Sequence, residues 1–318
     1  MTDFLARALE LAERGRGTTH PNPVVGAVLV RDGEVVGEGW HERPGGPHAE
    51  VAALAAAGEL ARGATLYVSL EPCAHHGRTP PCADALVEAG VARVVAAVGD
   101  PDPRTAGAGF ERLRAAGIDA ELPGGEAEWR ARVQNEGFRT AVGLGRPFVT
   151  YKAGVTVDGR VTVPGSRWVT SEESRRRVHE LRAQVDAVAV GMGTVRADAP
   201  LLTARGVGAE RQPRRLAFGR GPLPAGSELE LRSGGLAEEL RSLAVQGVQT
   251  LLLEGGPTLA TAFLAGGLVD KLMLFVAPRV SGSGPRAFGD LAAPLGTVRL
   301  DAERVGPDVL VTAYLREP

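Results

Sequence analysis

The sequence predicts an α/β protein built as two successive units, each a sheet with helices packed against it. Three observations predict this. A chain of 318 residues is long enough for two domains. Strand-like and helix-like segments alternate through both halves. A Gly-Arg-Pro break at 145–147 separates them and sets the expected domains at 1–144 and 145–318.

Leu5, Ala8, Leu9 and Leu11 give a first helix its apolar face. VVGAVLV, the Asp32-Gly33 turn and EVVGEGW read as a β-hairpin. A helix from about Pro47 through EVAALAAA leads to a buried strand at ATLYVSL. A helix from Pro81 through ADALVEAG, a strand at ARVVAAV, a helix at ERLRAAG and a short strand near IDAEL follow. One helical stretch, EAEWRARVQNEGFRTAVG, closes the first half. Hairpin first and alternation second describe a mixed sheet. The second half carries strands at PFVTYKAGV, VDAVAVG, RRLAFG, VQTLLLEG, KLMLFVA and VLVTAYL, with helices between several of them. Its glycine- and proline-rich 219–236 stretch is expected to be a surface loop. No internal repeat relates the halves.

Composition narrows the function classes. Hydrophobic content of 44% with 23% charged residues is that of a globular protein, and a net charge of −2 offers no basic field for nucleic acid or anionic lipid. No apolar run approaches the ~18 residues of a membrane span, and the charged amphipathic amino terminus is unlike a secretory leader. A cytoplasmic enzyme is expected. Cys73 and Cys82 are too few for a disulfide framework and read as metal ligands in a reducing compartment.

The most specific pattern is His48-Ala49-Glu50, then Glu71-Pro72-Cys73, then Cys82. One imidazole and two thiolates supply the three protein ligands of a catalytic Zn2+ site that keeps a fourth position open. Cys82 falls at a helix start, where unpaired N–H groups favour a thiolate. Glu50 stands beside a ligand without needing to be one, and in zinc deaminases the glutamate of H-x-E moves the proton. A lone His-Ala-Glu is usually nothing; it is the downstream cysteines that give it weight. A closed structural site with His75 or His76 as fourth ligand would use the same residues, and His41, His75 and His76 could each be ordinary loop histidines.

Nucleobase deaminases usually place two residues between the cysteines, whereas eight lie between them here. HAE with PCAHHGRTPPC, Thr19-His20-Pro21-Asn22-Pro23-Val24-Val25-Gly26 and GEGWHERPGGPHAE together resemble the deaminase domain of the bacterial riboflavin-biosynthesis deaminase/reductase family. The resemblance implies a cytidine-deaminase-like mixed sheet with helices. It also implies hydrolytic removal of an amino group from a diaminopyrimidinone carrying a phosphoribosylamino group. By matched position Asn22, His41 and His75 would contact this substrate, and Gly77-Arg78-Thr79 would shape the pocket. Asp102 stands where the family reads asparagine.

In the second half no G-x-G-x-x-G opens a helix, so a Rossmann domain is not predicted. Leu253-Glu254-Gly255-Gly256-Pro257-Thr258 runs a strand into a helix whose bare N–H groups could hold a phosphate, and Gly191-Met192-Gly193-Thr194 offers a second such junction. Each alone is most often a tight turn. The order YKAGVTVDGRVT, SRWVT, LRAQVDAVAVGMGTVRADAPLLTAR, LLLEGGPTLATAFL and LVDKLMLFVAPRV resembles the reductase domain of the same family, which implies a dihydrofolate-reductase-like α/β fold and NADPH. Hydride would pass to the ribose C1′ of the deaminated intermediate. Carried over by position, Gly154, Trp168, Thr194, Asp198 and Gly256, Pro257, Thr258, Leu259, Ala260, Thr261 and Ala262 would contact NADPH. Ser166, Arg182, Leu202, Arg205 and Glu254 would hold the substrate. Lys152, one of only two lysines with Lys271, would polarise or protonate the ribose oxygen. Ala199 stands where the family has a second aspartate before proline, and Gly219 ends a strand where it commonly has Asp-Ser.

The reading is thus of two successive activities, deamination and then reduction, in an expected homo-oligomer (dimer or tetramer) with a small-molecule substrate and no nucleic-acid or membrane partner. The rivals are a zinc deaminase acting on another nucleobase or tRNA with a non-catalytic second half, and a non-enzymatic zinc-stapled interaction protein.

Overall fold

The computed structural model describes residues 3–75 and 80–318. The chain forms two compact units, Met1–Leu144 and Gly145–Pro318. Among the described residues no helix is long and apolar enough to cross a membrane.

In the first unit, helix α1 (Phe4–Glu13) starts at Asp3, whose carboxylate accepts from the Ala6 amide. Strands β1 (Gly26–Arg31) and β2 (Glu34–Trp40) are joined by Asp32 and Gly33, both at positive φ (52° and 83°), the backbone that a two-residue hairpin turn demands. Helix α2 (Ala49–Ala57) and a short 3-10 turn lead to β3 (Thr65–Val68). Helix α3 (Cys82–Ala89), β4 (Arg93–Ala96), α4 (Ala108–Ala115) and β5 (Asp119–Glu121) follow. The sheet runs β2-β1-β3-β4-β5, with β1 antiparallel to both neighbours and the remaining pairs parallel. Helix α2 lies unusually close to the hairpin. A Cβ at Gly37 would run into the Ala53 carbonyl, and one at Gly39 would run into the Ala49 carbonyl. Ala49, Ala53 and Ala57 complete this contact from the helix side.

The single helical stretch expected at 126–143 is two helices, α5 (Gly125–Gln134) and α6 (Glu136–Leu144). Asn135 ends the first. Its Oδ1 accepts from the Val24 amide and its Nδ2 donates to the Val24 carbonyl, both at 2.9 Å. A side chain that replaces a β-ladder partner for a distant residue leaves no signal in local periodicity.

The second unit has β6 (Phe148–Thr156), α7 (Glu172–Gln184), β7 (Ala187–Gly191), α8 (Met192–Asp198), β8 (Arg214–Phe218) and β9 (Glu230–Arg232). Then come α9 (Leu236–Val245), β10 (Thr250–Leu253), α10 (Pro257–Ala265), β11 (Lys271–Ala277), β12 (Arg299–Val305) and β13 (Asp308–Tyr314). The sheet order is β12-β13-β11-β6-β10-β7-β8-β9, parallel from β11 through β9, with β13 and β12 added antiparallel at one edge. Every residue of β7 is buried, as expected of a central parallel strand covered on both faces. The 219–236 stretch is not wholly loop: Glu230–Arg232 pairs with Leu216–Phe218 as an edge strand, with Arg214 and Glu230 ion-paired at 2.6 Å.

The Gly-Arg-Pro break is itself an anchor. Arg146 donates from both terminal nitrogens to the fully buried Asp270 carboxylate at 2.7 Å, the Val149 amide donates to the same group at 2.8 Å, and Arg316 lies 2.9 Å from it. Replacing Asp270 by alanine strands the buried Arg146 guanidinium. We expect Asp270→Ala to destabilise the second unit by about 3–5 kcal/mol, read as a lower urea midpoint of its unfolding transition.

Candidate functional site

Three chain segments converge in the first unit. His48 occupies the N-cap of α2, Cys82 is the first residue of α3, and Cys73 lies beyond the carboxyl end of β3. One ligand atom from each falls within 4.8 Å of the others. His48 Nδ1 is 3.2 Å from Cys82 Sγ and 3.7 Å from Cys73 Sγ, and the Cys82 amide donates to Cys73 Sγ at 3.3 Å. The side chain of Cys82 holds the Cys73 thiol well below the usual thiol range, against the effect of burial, with His48 and the Cys82 amide adding to the fall. Two sulfurs this close do not both ionise without a cation between them, so the donor set fits a divalent ion, and one imidazole with two thiolates is a zinc set.

Glu50, in the first turn of α2, is buried beside this triad. Burial pushes its carboxyl up to about 7; its own amide pulls it down and the Cys73 sulfur adds to the rise. A carboxyl poised there can both take and return a proton near neutrality.

The triad and Glu50 open onto a cavity of about 560 Å³ whose wall also includes Asn22, His41, His75 and Asp102. His41 is bound on both ring nitrogens, Nδ1 to the Pro47 carbonyl at 3.0 Å and Nε2 to Asn22 Nδ2 at 3.1 Å. That network assigns the proton to Nδ1 and makes Nε2 the acceptor. His75 lines the cavity and is not among the clustered ligand atoms. His76, Gly77, Arg78 and Thr79 lie outside the described residues. Asp102, at the position where the resemblance leads one to expect asparagine, is gripped by Arg104 with Nη2 at 2.6 Å and Nε at 2.9 Å, holding the carboxyl down at about 2.

In the second unit Lys152 sits in β6 and Glu254 just past β10, one step beyond the paired Tyr151 and Leu253. Lys152 Nζ lies 2.6 Å from Glu254 Oε2, and Arg182 of α7 bonds both carboxylate oxygens at 2.6 and 3.0 Å. Burial alone would push Glu254 up; the two cations reverse this and hold it at about 2. Arg182 also donates to the Thr203 carbonyl, and Arg205 to the Thr203 hydroxyl at 2.7 Å. The Arg205 amide points to His179 Nδ1 at 3.2 Å, bringing in a histidine that sequence reasoning did not single out. Leu202 is only 2% exposed and packs among Val188, Val190 and Val195, so only its backbone, at a φ of 55°, is available to a ligand.

The proposed cofactor positions divide. Glycine at 154 is already required by packing, since a Cβ there would meet Thr170 Cγ2 at 2.9 Å. Trp168 is 50% exposed between the Arg167 and Arg175 guanidiniums, each 5.0 Å from its ring, and is no core aromatic. Ser166 donates to the Trp168 carbonyl at 2.8 Å. Gly256 caps α10 without a side chain, Pro257 opens the helix, and a Cβ at Gly256 would lie 3.2 Å from Thr194 Oγ1. The junctions after β7 and β10 thus meet at neighbouring carboxyl strand ends, where α/β sheets hold ligands, and the uncapped α10 amides fit a pyrophosphate. Thr258 and Ala262 face outward, Leu259 packs beside Gly191, and the Thr261 hydroxyl is engaged by the Pro257 carbonyl and the Gly289 amide. The Ala260 side chain packs into the core with Phe263 and Leu264, which leaves its backbone to face a ligand. Helical periodicity turns every third or fourth side chain inward. Asp198 is exposed at the end of α8; Ala199 follows it at a φ of 40°, and Gly219, at a φ of 137°, leaves no room for a Cβ beside Met192.

Residues 147–311 match the RibD C-terminal domain family, and residues 1–98 match the cytidine and deoxycytidylate deaminase zinc-binding region. The riboflavin biosynthesis protein RibD of Aquifex aeolicus is 41% identical, the alignment covering 97% of each chain. That of Escherichia coli is also 41% identical, over 96% of this chain and 97% of the other. Among solved structures, Acinetobacter baumannii RibD superposes with a TM-score of 0.84 at 38% identity, covering 98% of this chain and 97% of that one. A Thermotoga maritima diaminohydroxyphosphoribosylaminopyrimidine deaminase/5-amino-6-(5-phosphoribosylamino)uracil reductase gives 0.81 at 34% identity, with the same coverage.

Two outcomes are expected. Cys82→Ser, isosteric but a poor ligand, should lower zinc content to well under one ion per chain by atomic absorption while the far-UV spectrum is kept. Because the folded Glu254 carboxyl lies below its unfolded value, its contribution is complete above about pH 5 and is lost as the pH falls toward 2, worth about 3 kcal/mol. Acid titration of Glu254→Gln should lack this component.

Proposed function

This chain belongs to the RibD family of riboflavin biosynthesis, and from that membership we propose that it removes an amino group from a phosphoribosylamino diaminopyrimidinone and then reduces the ribosyl group to ribityl. The observation that carries the first activity is the His48–Cys73–Cys82 cluster opening, with buried Glu50, onto one cavity. A bound Zn2+ supplies the Lewis acidity that makes water a nucleophile at neutral pH. Glu50 takes one proton from the attacking water and gives it to the ring nitrogen, then passes the proton of the added hydroxyl to the amine, so that a C=O bond forms as the C–N bond breaks and ammonia leaves. His41 and Asn22, already bonded to one another, orient the pyrimidine, and His75 closes the same wall.

In the second activity NADPH supplies the hydride. Lys152 holds a proton for the ribose ring oxygen; C1′ gains the hydride, the bond from C1′ to that oxygen breaks, and the protonated oxygen remains on C4′ as a hydroxyl of the opened chain. Glu254 aims the Lys152 side chain through their ion pair, while Arg182 and Arg205 are suited to a phosphate. Ser166 and the Leu202 backbone complete the substrate side. Gly154, Trp168, Thr194, Asp198 and the outward face of α10 form the cofactor side. The alternative of a tRNA deaminase with a non-catalytic second half is not favoured, because that half matches a reductase-family domain over 147–311. The reading extends to a cytoplasmic compartment, whose reducing conditions keep both thiols available, and to a homo-oligomer that sedimentation velocity would size.

The test is a paired assay on purified protein with the diaminopyrimidinone phosphoriboside. Ammonia should appear without NADPH, and NADPH should then be consumed in proportion to deaminated product. Glu50→Ala should lower the deamination kcat by about 10²–10⁴-fold and leave reduction of pre-deaminated substrate intact. Ammonia without NADPH oxidation would refute the reductase half, and neither signal in zinc-replete protein would refute both.

A further inference from the structure

Glu71 is a buried carboxylate with no assigned task. It follows β3, stands two residues before Cys73, and reaches the cavity wall. Among the described residues no lysine or arginine pairs with it. Three backbone amides satisfy it instead: those of Asp100 and Gly107 donate to Oε2 and that of Gly109 to Oε1, each at 3.1 Å. All three donors lie on the segment that carries Asp100 and Asp102 into the cavity wall.

Helix α4 shows why this carboxylate matters. Its N-cap is Gly107, at a φ of 82° and with no side chain to cap the helix. Glu71 supplies the cap from another part of the chain and places a negative charge at the positive end of the helix. The approach is tight, since a Cβ on Gly109 would run into the Pro72 carbonyl oxygen. The amide of Glu71 also bonds the Val98 carbonyl at 2.9 Å, so the residue grips both ends of the turn that leaves β4.

We propose that Glu71 is a positioning residue for deamination: it locks the 99–109 segment, with Asp100 and Asp102, at a fixed distance from the metal ligand Cys73. This rests on the deaminase reading. Glutamine in its place has the same shape but only one acceptor oxygen, so one of the three amides loses its partner and the segment loosens.

The experiment compares Glu71→Gln with the unaltered full chain by deamination kinetics, zinc content, reduction of pre-deaminated substrate and amide hydrogen exchange. Expected are a KM for deamination raised about tenfold with kcat changed less than about threefold. One zinc per chain, unchanged reduction and faster exchange at Asp100, Gly107 and Gly109 should accompany it. An unchanged KM overturns the proposal, and so does loss of zinc, which would make Glu71 a support of the metal site alone. Should the variant not fold, exchange in the unaltered protein decides: the three amides must be protected together, and fast exchange at any one overturns the proposal. If the unaltered protein releases no ammonia, it is the deaminase reading that fails, and exchange still reports whether Glu71 holds the segment.

Discussion

The deaminase unit hangs on how closely α2 lies on the hairpin. Two glycines on β2 and three alanines on the helix remove the side chains that would otherwise hold helix and sheet apart. That closeness sets the height of the first turn of α2, and the first turn carries both His48 and Glu50. The partner ligand Cys82 also begins a helix, so two helix N-termini meet at one point. Their partial positive charges favour the thiolates on which any metal there depends. Small residues far from the chemistry thus decide where the chemistry can occur.

The second unit solves a different electrostatic problem. Its Glu254 is buried between two cations, which costs less than burying any of the three alone. One carboxylate against Lys152 and Arg182 leaves a surplus positive charge at the carboxyl end of the parallel strands. Arg205, anchored on Thr203, extends that surplus outward. That surplus is the complement a phosphate-bearing ligand would need, and Lys152 Nζ stands 2.6 Å from Glu254 beside it.

The zinc ligands were legible in the sequence because metal binding admits few residue types, and those types are rare in this chain. The hairpin and the buried strands were legible from turn chemistry and apolar runs. What escaped detection has physical reasons. Strand β12 is exposed along nearly its whole length and shows no alternation to read. Strand β9 has only three residues. Asn135 breaks a helix in favour of Val24, more than a hundred positions away in sequence. The pairing of Asp102 with Arg104 is local, yet its meaning emerges only once Asp102 is seen on the cavity wall. Around Ala260, the turn of a helix divides the side chains of one unbroken stretch of sequence between core and surface.

Trp168 has a use of its own. The chain has three tryptophans, and Trp40 and Trp129 belong to the first unit. The third is half-exposed between two guanidiniums, an environment whose field shifts the indole excited state. With the other two replaced by phenylalanine, its emission becomes an optical channel for the second unit alone. Any ligand that displaces either arginine from the ring then announces itself as a change in colour or lifetime, with no label attached.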